Sequence, residues 1–182
     1  THPPDDARLA AVLVLLYACG ERLCIPLQRR RAVAGDPHGG QISLPGGSRE
    51  GRERVEETAL REAREEMGIR PEHVHLLGRL SRRWIPVSYY KVRPVVAWTD
   101  QSPDFRLDPG EVDELIVCSV EELEDPARLV TFRRPFAGEV HDVPAWRLDQ
   151  GLLWGATAMI LAELVTLLRA AEGKEPLSPP AG

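Results

Sequence analysis

The stretch GGSREGRERVEETALREAREEMGI, residues 46–69, guides the interpretation of the whole chain. It holds seven glutamates in 24 positions and ends just beyond a glycine, Gly68. Apolar residues recur at helical spacing, which predicts a helix over residues 55–67. Gly68 would end this helix, because glycine readily adopts the left-handed backbone of a helix C-cap.

The glutamates of this helix do not all face solvent. On a helical wheel, the apolar side chains between Val55 and Met67 cover an arc from 0° to about 140°. Glu66 falls at about 20°, Glu62 at about 340° and Glu65 at about 280°. Two carboxylates therefore lie one turn apart at the rim of the buried face, where like charges repel.

Two explanations account for this arrangement. A divalent cation such as Mg²⁺ prefers oxygen ligands and would neutralise the carboxylates. Alternatively, the helix is a solvated surface rich in Glu and Arg, held by pairs such as Arg61 with Glu65 at i,i+4. The rim position of Glu62 and Glu66 favours the cation.

The wider spacing resembles the Nudix box: a glycine, five residues, a glutamate, seven residues, then Arg-Glu-apolar, any residue, Glu-Glu, any residue and Gly-apolar. The sequence matches each specified position, with Gly47, Glu53, Arg61, Glu62, Ala63, Glu65, Glu66, Gly68 and Ile69. A match of this length is a strong motif. The resemblance implies an α/β Nudix fold, which is an α/β/α sandwich with a mixed β-sheet. It also implies hydrolysis of a nucleoside diphosphate linked to another moiety.

The same resemblance implies roles for the box residues. Glu62, Glu65 and Glu66 would bind Mg²⁺ or Mn²⁺ as catalytic metal ligands. Arg61 and Glu53 would support them at the catalytic site by orienting the carboxylates and bracing the loop. The cation would offset the charge of the pyrophosphate and acidify a bound water.

The general base is open at this point. It is either a box glutamate or one of two acids in the segment PGEVDEL, Glu111 and Glu114. That segment resembles a Glu-Val-x-Glu stretch that many Nudix enzymes place near the metals. An acidic surface loop is the alternative explanation, since carboxylates are common in loops.

The flanks of the box resemble the coenzyme A pyrophosphatase branch of the family. The matching positions are Arg31, Ala32, Gly40, Pro45, Gly46 and Gly47. The sequence departs from that signature where Leu44 replaces Phe, Asp36 replaces a spaced Arg, and Leu-Gln-Arg at 27–29 replaces Leu-Leu-Thr. Residues 85–97 and 152–168 also resemble segments of this branch, although an apolar strand and a core helix would explain each one singly.

This resemblance implies that the pyrophosphate of coenzyme A or its thioesters is the substrate. The candidate substrate-binding residues are Arg30, Arg31, His38, Gln41, Gly46 and Gly47. The 3′-phosphate of coenzyme A would pair with an arginine among Arg29, Arg30, Arg31, Arg82 and Arg83. The alternatives are another diphosphate, such as NADH, ADP-ribose or an oxidised dNTP, and a Nudix-fold module that binds a nucleotide without turnover. The intact glutamate set argues against the module.

Composition limits the remaining possibilities. The 182 residues suit one domain, and a net charge of -5 makes nucleic acid an unsuitable main partner. The apolar run at 9–18 is shorter than the ~20 residues that span a bilayer, so no membrane association is expected. Three cysteines without a CxxC pair favour a reducing compartment without disulfides, and hence the cytoplasm. A homodimer is left open.

Residues 9–172 are expected to form one Nudix domain between flexible tails at 1–8 and 173–182. Strands are predicted over 9–18, 22–27, 73–80, 89–98, 114–120, 129–136 and 141–148. A second helix over 153–171 is apolar nearly all round, so it is expected to be well buried. Residues 28–47 are expected to form a long loop, which is typical of a functional segment.

Overall fold

The computed structural model describes residues 4–36, 38–136 and 138–177. Within these ranges the α-helices are α1 (Val55–Met67), α2 (Val120–Glu124) and α3 (Gly155–Ala171). The strands are β1 (Arg8–Cys19), β2 (Arg22–Arg30), β3 (Ile42–Ser43), β4 (Gly46–Ser48), β5 (His75–Arg79), β6 (Arg83–Ile85), β7 (Tyr90–Thr99), β8 (Val112–Ser119), β9 (Leu129–Phe136), β10 (Glu139–Leu148) and β11 (Gly151–Trp154). The outermost parts of the predicted tails, residues 1–3 and 178–182, lie outside the described residues.

The main sheet is mixed, and β1 lies at its centre. β1 runs antiparallel to β2 and parallel to β7. β3 and β8 extend the sheet beside β2, while β5 and β6 pair with β7. The short β4 pairs with the start of β1, where Gly47 lies opposite Ala11. β9, β10 and β11 form a separate antiparallel sheet.

The two faces of the main sheet carry two cores. Successive side chains of a strand point to opposite faces, so β1 contributes to both. Leu13 and Leu15 pack with Ala59 and Met67 of α1. Val14 and Leu16 belong to the core on the other face, which includes Leu161 of α3. These layers confirm the predicted α/β/α sandwich with a mixed sheet.

The local sequence of α1 explains its boundaries. Its first turn is closed by Glu57, whose side chain accepts a hydrogen bond from the backbone N–H of Arg54 at 2.7 Å. Its last turn ends at Gly68, which has a φ of 71° and donates its N–H to the carbonyl of Arg64, while the N–H of Ile69 donates to the carbonyl of Ala63. The helix spans the predicted residues, because apolar spacing and a glycine C-cap agree with each other.

The structure corrects three features of the predicted pattern. The expected loop at 28–47 contains β3 and β4, and β2 extends into it as far as Arg30. The short elements β6, β11 and α2 were not predicted. α3 was expected to be buried nearly all round, but only one of its faces packs against the protein. Met159 and Leu167, on its other face, keep 54% and 53% of their surfaces exposed. None of the helices in the described ranges is long and apolar enough to cross a bilayer.

The expectation that the cysteines stay unpaired is also corrected. The hairpin between β1 and β2 brings Cys19 and Cys24 together as a disulfide, with Cα atoms 5.9 Å apart. Cys118 is free and buried, and burial raises the pKa of its thiol to about 12. The odd number of cysteines therefore reflects one pair and one core residue, and it does not argue for a reducing compartment.

Candidate active site

The three box glutamates of α1 differ in their exposure to solvent. The side chain of Glu66 is 2% exposed, that of Glu62 is 14% exposed and that of Glu65 is 58% exposed. This order follows the helical wheel, on which Glu66 falls inside the apolar arc, Glu62 just outside it and Glu65 further away. The helix thus places two carboxylates at the edge of the core and the third at the surface.

Glu66 is held at the end of strands β2 and β4. Its carboxylate accepts a hydrogen bond from the backbone N–H of Gly46 at 2.7 Å, and Nη1 of Arg30 lies 3.8 Å away. Burial raises the pKa of Glu66 to about 7, although Gly46, Gln28 and Arg30 act in the opposite direction. The negative charge of Glu66 is therefore only partly compensated.

Glu62 occupies the space that a side chain at position 47 would fill. A Cβ added to Gly47 would lie 2.6 Å from Oε1 and 2.7 Å from Cδ of Glu62. Burial is the main cause of the raised pKa of Glu62, and the nearby charges of Glu65 and Glu111 add to it. Gly47 is thus required because of the carboxylate that packs against it.

Arg61 connects most of the charged groups of the box. Its Nη1 donates to Glu62 and Glu65, each at 2.9 Å, and its Nε donates to Glu53 at 2.7 Å. Its Nη2 donates to the backbone carbonyl of Ser48 at 2.9 Å. One guanidinium therefore joins the loop, the first glutamate of the box and two carboxylates of the helix, with the geometry of a supporting residue.

Acid is expected to remove the stabilisation that Glu53 contributes. The hydrogen bond from Arg61 is the largest of the effects that lower the pKa of Glu53 from 4.5 to about 2. As the pH falls, the unfolded chain therefore takes up this proton before the folded chain does. The contribution is fully present above about pH 4.5 and is lost as the pH falls towards 2.

The measurement is the free energy of unfolding of wild type and Glu53→Gln, from denaturant titrations between pH 7 and pH 3. The difference between the two proteins should shrink at the acidic end. A difference that stays constant across this range would contradict the assigned role of the Glu53 carboxylate.

The two acids of the segment PGEVDEL lie in different places. Glu111 lies close enough to Glu62 to raise its pKa. Glu114 pairs with Arg29 across β2 and β8, with Nε and Oε2 2.9 Å apart. Its neighbour Leu115 packs against the core beneath α1, so Glu114 projects from the opposite face of the sheet. The structure brings Glu111 to the box and leaves Glu114 away from it.

The candidate substrate-binding residues separate into two groups. Arg30, Gly46 and Gly47 adjoin the carboxylates, and Nη2 of Arg30 also lies 3.7 Å from Asp36. The others belong to the loop after β2, where Nδ1 of His38 lies 3.3 Å from Oε1 of Gln41. The backbone N–H of Arg30 donates to the carbonyl of Gln41 at 3.0 Å, which joins this loop to the site. Arg31 points its Nη1 at the carbonyl of Pro109.

Sequence reasoning missed Gln28. This residue is fully buried, and its side-chain nitrogen and oxygen have no hydrogen bond within the described part of the chain. It nevertheless lies near enough to Glu66 to lower the pKa of that carboxylate. The available signal was a polar residue at the end of the apolar run LCIPL.

The residues of the site fit a divalent cation, although the described residues include no ready-made group of three His, Cys, Asp or Glu side chains around a metal position. The donors are carboxylate oxygens, which Mg²⁺ and Mn²⁺ prefer. Glu66 carries a buried charge with its nearest cation 3.8 Å away. Glu62 is seated against Gly47, where a backbone without Cβ leaves space for its carboxylate.

The spacing of the box agrees with a comparison against known protein families. A sequence description of the NUDIX domain matches residues 7–139. The chain belongs to the Nudix family. Nudix hydrolases act on pyrophosphate bonds of nucleotide-derived substrates and generally use divalent metal ions, and this chain is one of these enzymes.

Relatives and solved structures agree with this Nudix assignment. The uncharacterized Nudix hydrolase NudL of Pectobacterium atrosepticum is 35% identical over 164 residues, which are 90% of this chain and 84% of that protein. The Nudix hydrolase RenU of M. smegmatis has a TM-score of 0.59 at 20% identity, covering 94% of this chain and 89% of RenU. The NUDIX domain of Shewanella oneidensis NrtR, solved with ADP ribose, has a TM-score of 0.50 at 19% identity, covering 65% and 77% of the two chains. The two solved structures share the fold.

Proposed function

We propose that this Nudix hydrolase cleaves the pyrophosphate of coenzyme A or its thioesters. The products would be 3′-phosphoadenosine 5′-phosphate and 4′-phosphopantetheine or its acyl form. The observation that carries the proposal is the order of three segments along one chain, residues 31–47, 85–97 and 152–168, each of which resembles the coenzyme A branch. Residues 31–47 include the loop that adjoins the carboxylates, and this proximity supports the proposal.

The box residues would hold the metal ion that this reaction needs. Glu62 and Glu66, with the more exposed Glu65, would bind Mg²⁺ or Mn²⁺. The bound ion would offset the charge of the pyrophosphate and lower the pKa of a water molecule. Arg61 keeps two of these carboxylates in place, since its Nη1 donates to both Glu62 and Glu65.

We assign proton acceptance from the attacking water to Glu111. Its carboxylate is exposed and lies near Glu62, so it can face both solvent and the box. Glu114 is engaged by Arg29 on the other face of the sheet. Glu111 therefore fits the geometry of a general base better than Glu114 does.

The two arginines at the end of β2 differ in their availability for a phosphate. Arg29 is bound to Glu114 and donates to the carbonyl of Gln150 at 2.7 Å. Arg30 stands between Glu66 and Asp36 at 3.8 Å and 3.7 Å, which are loose contacts that leave donors free. Asp36 stands where the coenzyme A signature has an arginine, so part of the charge of Arg30 is already offset. A contact between Arg30 and the 3′-phosphate should therefore stabilise the bound substrate less than a contact from an unpaired arginine would.

The test compares coenzyme A with dephospho-coenzyme A in the presence of Mg²⁺. We expect kcat/KM to be about tenfold higher for coenzyme A, which is the low end of a charge-assisted contact. In the variant Arg30→Ala/Arg31→Ala the ratio should fall towards one. The ratio is the readout, because Arg30 also contacts Glu66 and its loss would lower the rates on both substrates.

The other outcomes identify the alternatives. Equal kcat/KM values for the two substrates in wild type would mean that the 3′-phosphate is not recognised. Faster turnover of NADH, ADP-ribose or an oxidised dNTP would assign the enzyme to another Nudix substrate. Binding of these compounds without turnover at any metal concentration would indicate a nucleotide-binding module.

A further inference from the structure

A basic cleft lies on the α1 side of the main sheet, beyond the first turn of that helix. Its volume is about 310 Å³, and seven of its lining side chains are Arg or Lys. The one acid that lines it, Glu53, is held by Arg61. This concentration of positive charge occurs in a chain whose net charge is -5.

The floor of the cleft is formed by charged residues in positions that elsewhere belong to the core. Arg93 of β7 lies opposite Ala11 of β1, and one pair further along the same face Val95 lies opposite Leu13. Leu13 and Val95 are buried under α1, whereas Lys91 and Arg93 line the cleft. The sheet therefore extends past the helix and presents cations there in place of apolar side chains.

Three arginines of the rim have no partner of their own. Arg49, Arg52 and Arg82 are exposed, and their guanidinium groups make no hydrogen bond or ion pair with any residue that the structure describes. The remaining arginines of the wall are paired, for example Arg79 with Glu56 at 2.5 Å. The cleft thus has free donors directed at a concave space between fixed walls.

The cations also repel one another. Burial lowers the pKa of Arg93, and the charges of Arg82 and Arg79 lower it further. Like charges at this density are relieved by a bound anion that carries several negative oxygens. The small, concave shape suits a compact anion better than an extended nucleic acid, which needs a long basic stripe.

We infer that this cleft is a binding site for a short phosphate chain, of the size of a pyrophosphate or tripolyphosphate group. The site is distinct from the box carboxylates, from which the Glu53–Arg61 ion pair separates it. It is close to them, because Ala11 lines the cleft and pairs with Gly47, which in turn contacts Glu62. The inference does not depend on which diphosphate the enzyme hydrolyses.

The test measures binding of tripolyphosphate to the full chain by calorimetry, without divalent metal and at constant ionic strength. The variant Arg49→Gln/Arg52→Gln/Arg82→Gln removes the three unpaired cations and is expected to weaken binding at least ~10-fold. The control Arg22→Gln/Arg70→Gln/Arg147→Gln removes the same charge from exposed arginines outside the cleft. It should bind as wild type does, and equal melting temperatures would show that both variants are folded.

Three results would overturn the inference. They are the absence of tripolyphosphate binding to wild type, equal weakening in both variants, and tighter binding of a single-stranded oligonucleotide than of tripolyphosphate. The source of the phosphate group is distinguished by kcat/KM for coenzyme A in the cleft variant. If this variant loses kcat/KM, the phosphate group that binds in the cleft belongs to the substrate. If it loses tripolyphosphate binding and keeps its kcat/KM, the cleft binds an anion that is separate from the substrate. Both of these results support the site.

Discussion

The variant Glu66→Gln is expected to lower kcat by at least ~10²-fold while leaving the fold intact. Glutamine keeps the shape of the side chain, and its carbonyl can still accept the hydrogen bond from Gly46. The variant removes the buried negative charge, which is the property that a metal ion requires. The measurement is a steady-state assay at saturating Mg²⁺, with circular dichroism to verify folding.

A matched control and a second readout separate loss of metal from loss of structure. Glu57→Gln alters a carboxylate in the first turn of the same helix, at an unspecified position of the box, and its amide carbonyl can still accept the N–H of Arg54, so it should keep most of the activity. Mg²⁺ should raise the melting temperature of wild type by mass action and should raise that of Glu66→Gln much less. Full activity in Glu66→Gln would refute the assignment of Glu66 as a metal ligand.

The substitution Gly47→Ala is expected to reduce kcat by roughly 10²-fold through the displacement of Glu62. The new Cβ would lie 2.6 Å from Oε1 of that carboxylate, so the side chain must move. A displacement of about 1 Å at a catalytic group is sufficient for a loss of this size. Because a flexible side chain rather than backbone absorbs the contact, stability should fall less than activity.

Gly78→Ala is the matched control, because a Cβ at Gly78 meets no atom within 4 Å. This variant should retain wild-type kinetics. If Gly47→Ala also retained wild-type kcat, then the position of Glu62 against Gly47 would be unimportant for the reaction. A crystal structure of Gly47→Ala would show directly whether the Glu62 carboxylate has left Arg61.

The elements that could be predicted are those whose sequence signals lie within one short segment of the chain. α1 has the predicted bounds because its apolar spacing, first-turn glutamates and Gly68 are all contained within one segment. β4 and β11 have three and four residues, too few for a periodic pattern, and they exist because longer strands pair with them. The disulfide was missed for a similar reason, since only the hairpin register brings Cys19 beside Cys24.

The same distinction applies to the site. The spacing of Glu62 and Glu66 on one helix predicted which carboxylates would be the most buried. Spacing along the chain did not separate Glu111 from Glu114, because Glu111 lies in the turn before β8, whereas Glu114 lies on the face of β8 that is turned away from α1. The roles of Gln28 and of the basic cleft could not be predicted from the sequence either, since the residues around each of them come from several strands.

The position of β1 at the centre of the main sheet has a consequence for the order of folding. During synthesis β1 and β2 leave the ribosome before β7 and can form their hairpin at once. The other long edge of β1 must wait for β7, since Arg8 pairs with Tyr90 and Tyr17 with Thr99. Until then an apolar strand keeps an open edge, which is a risk for aggregation. Closing this parallel pair across so long a stretch of chain is expected to set the rate at which the nascent enzyme reaches its native state.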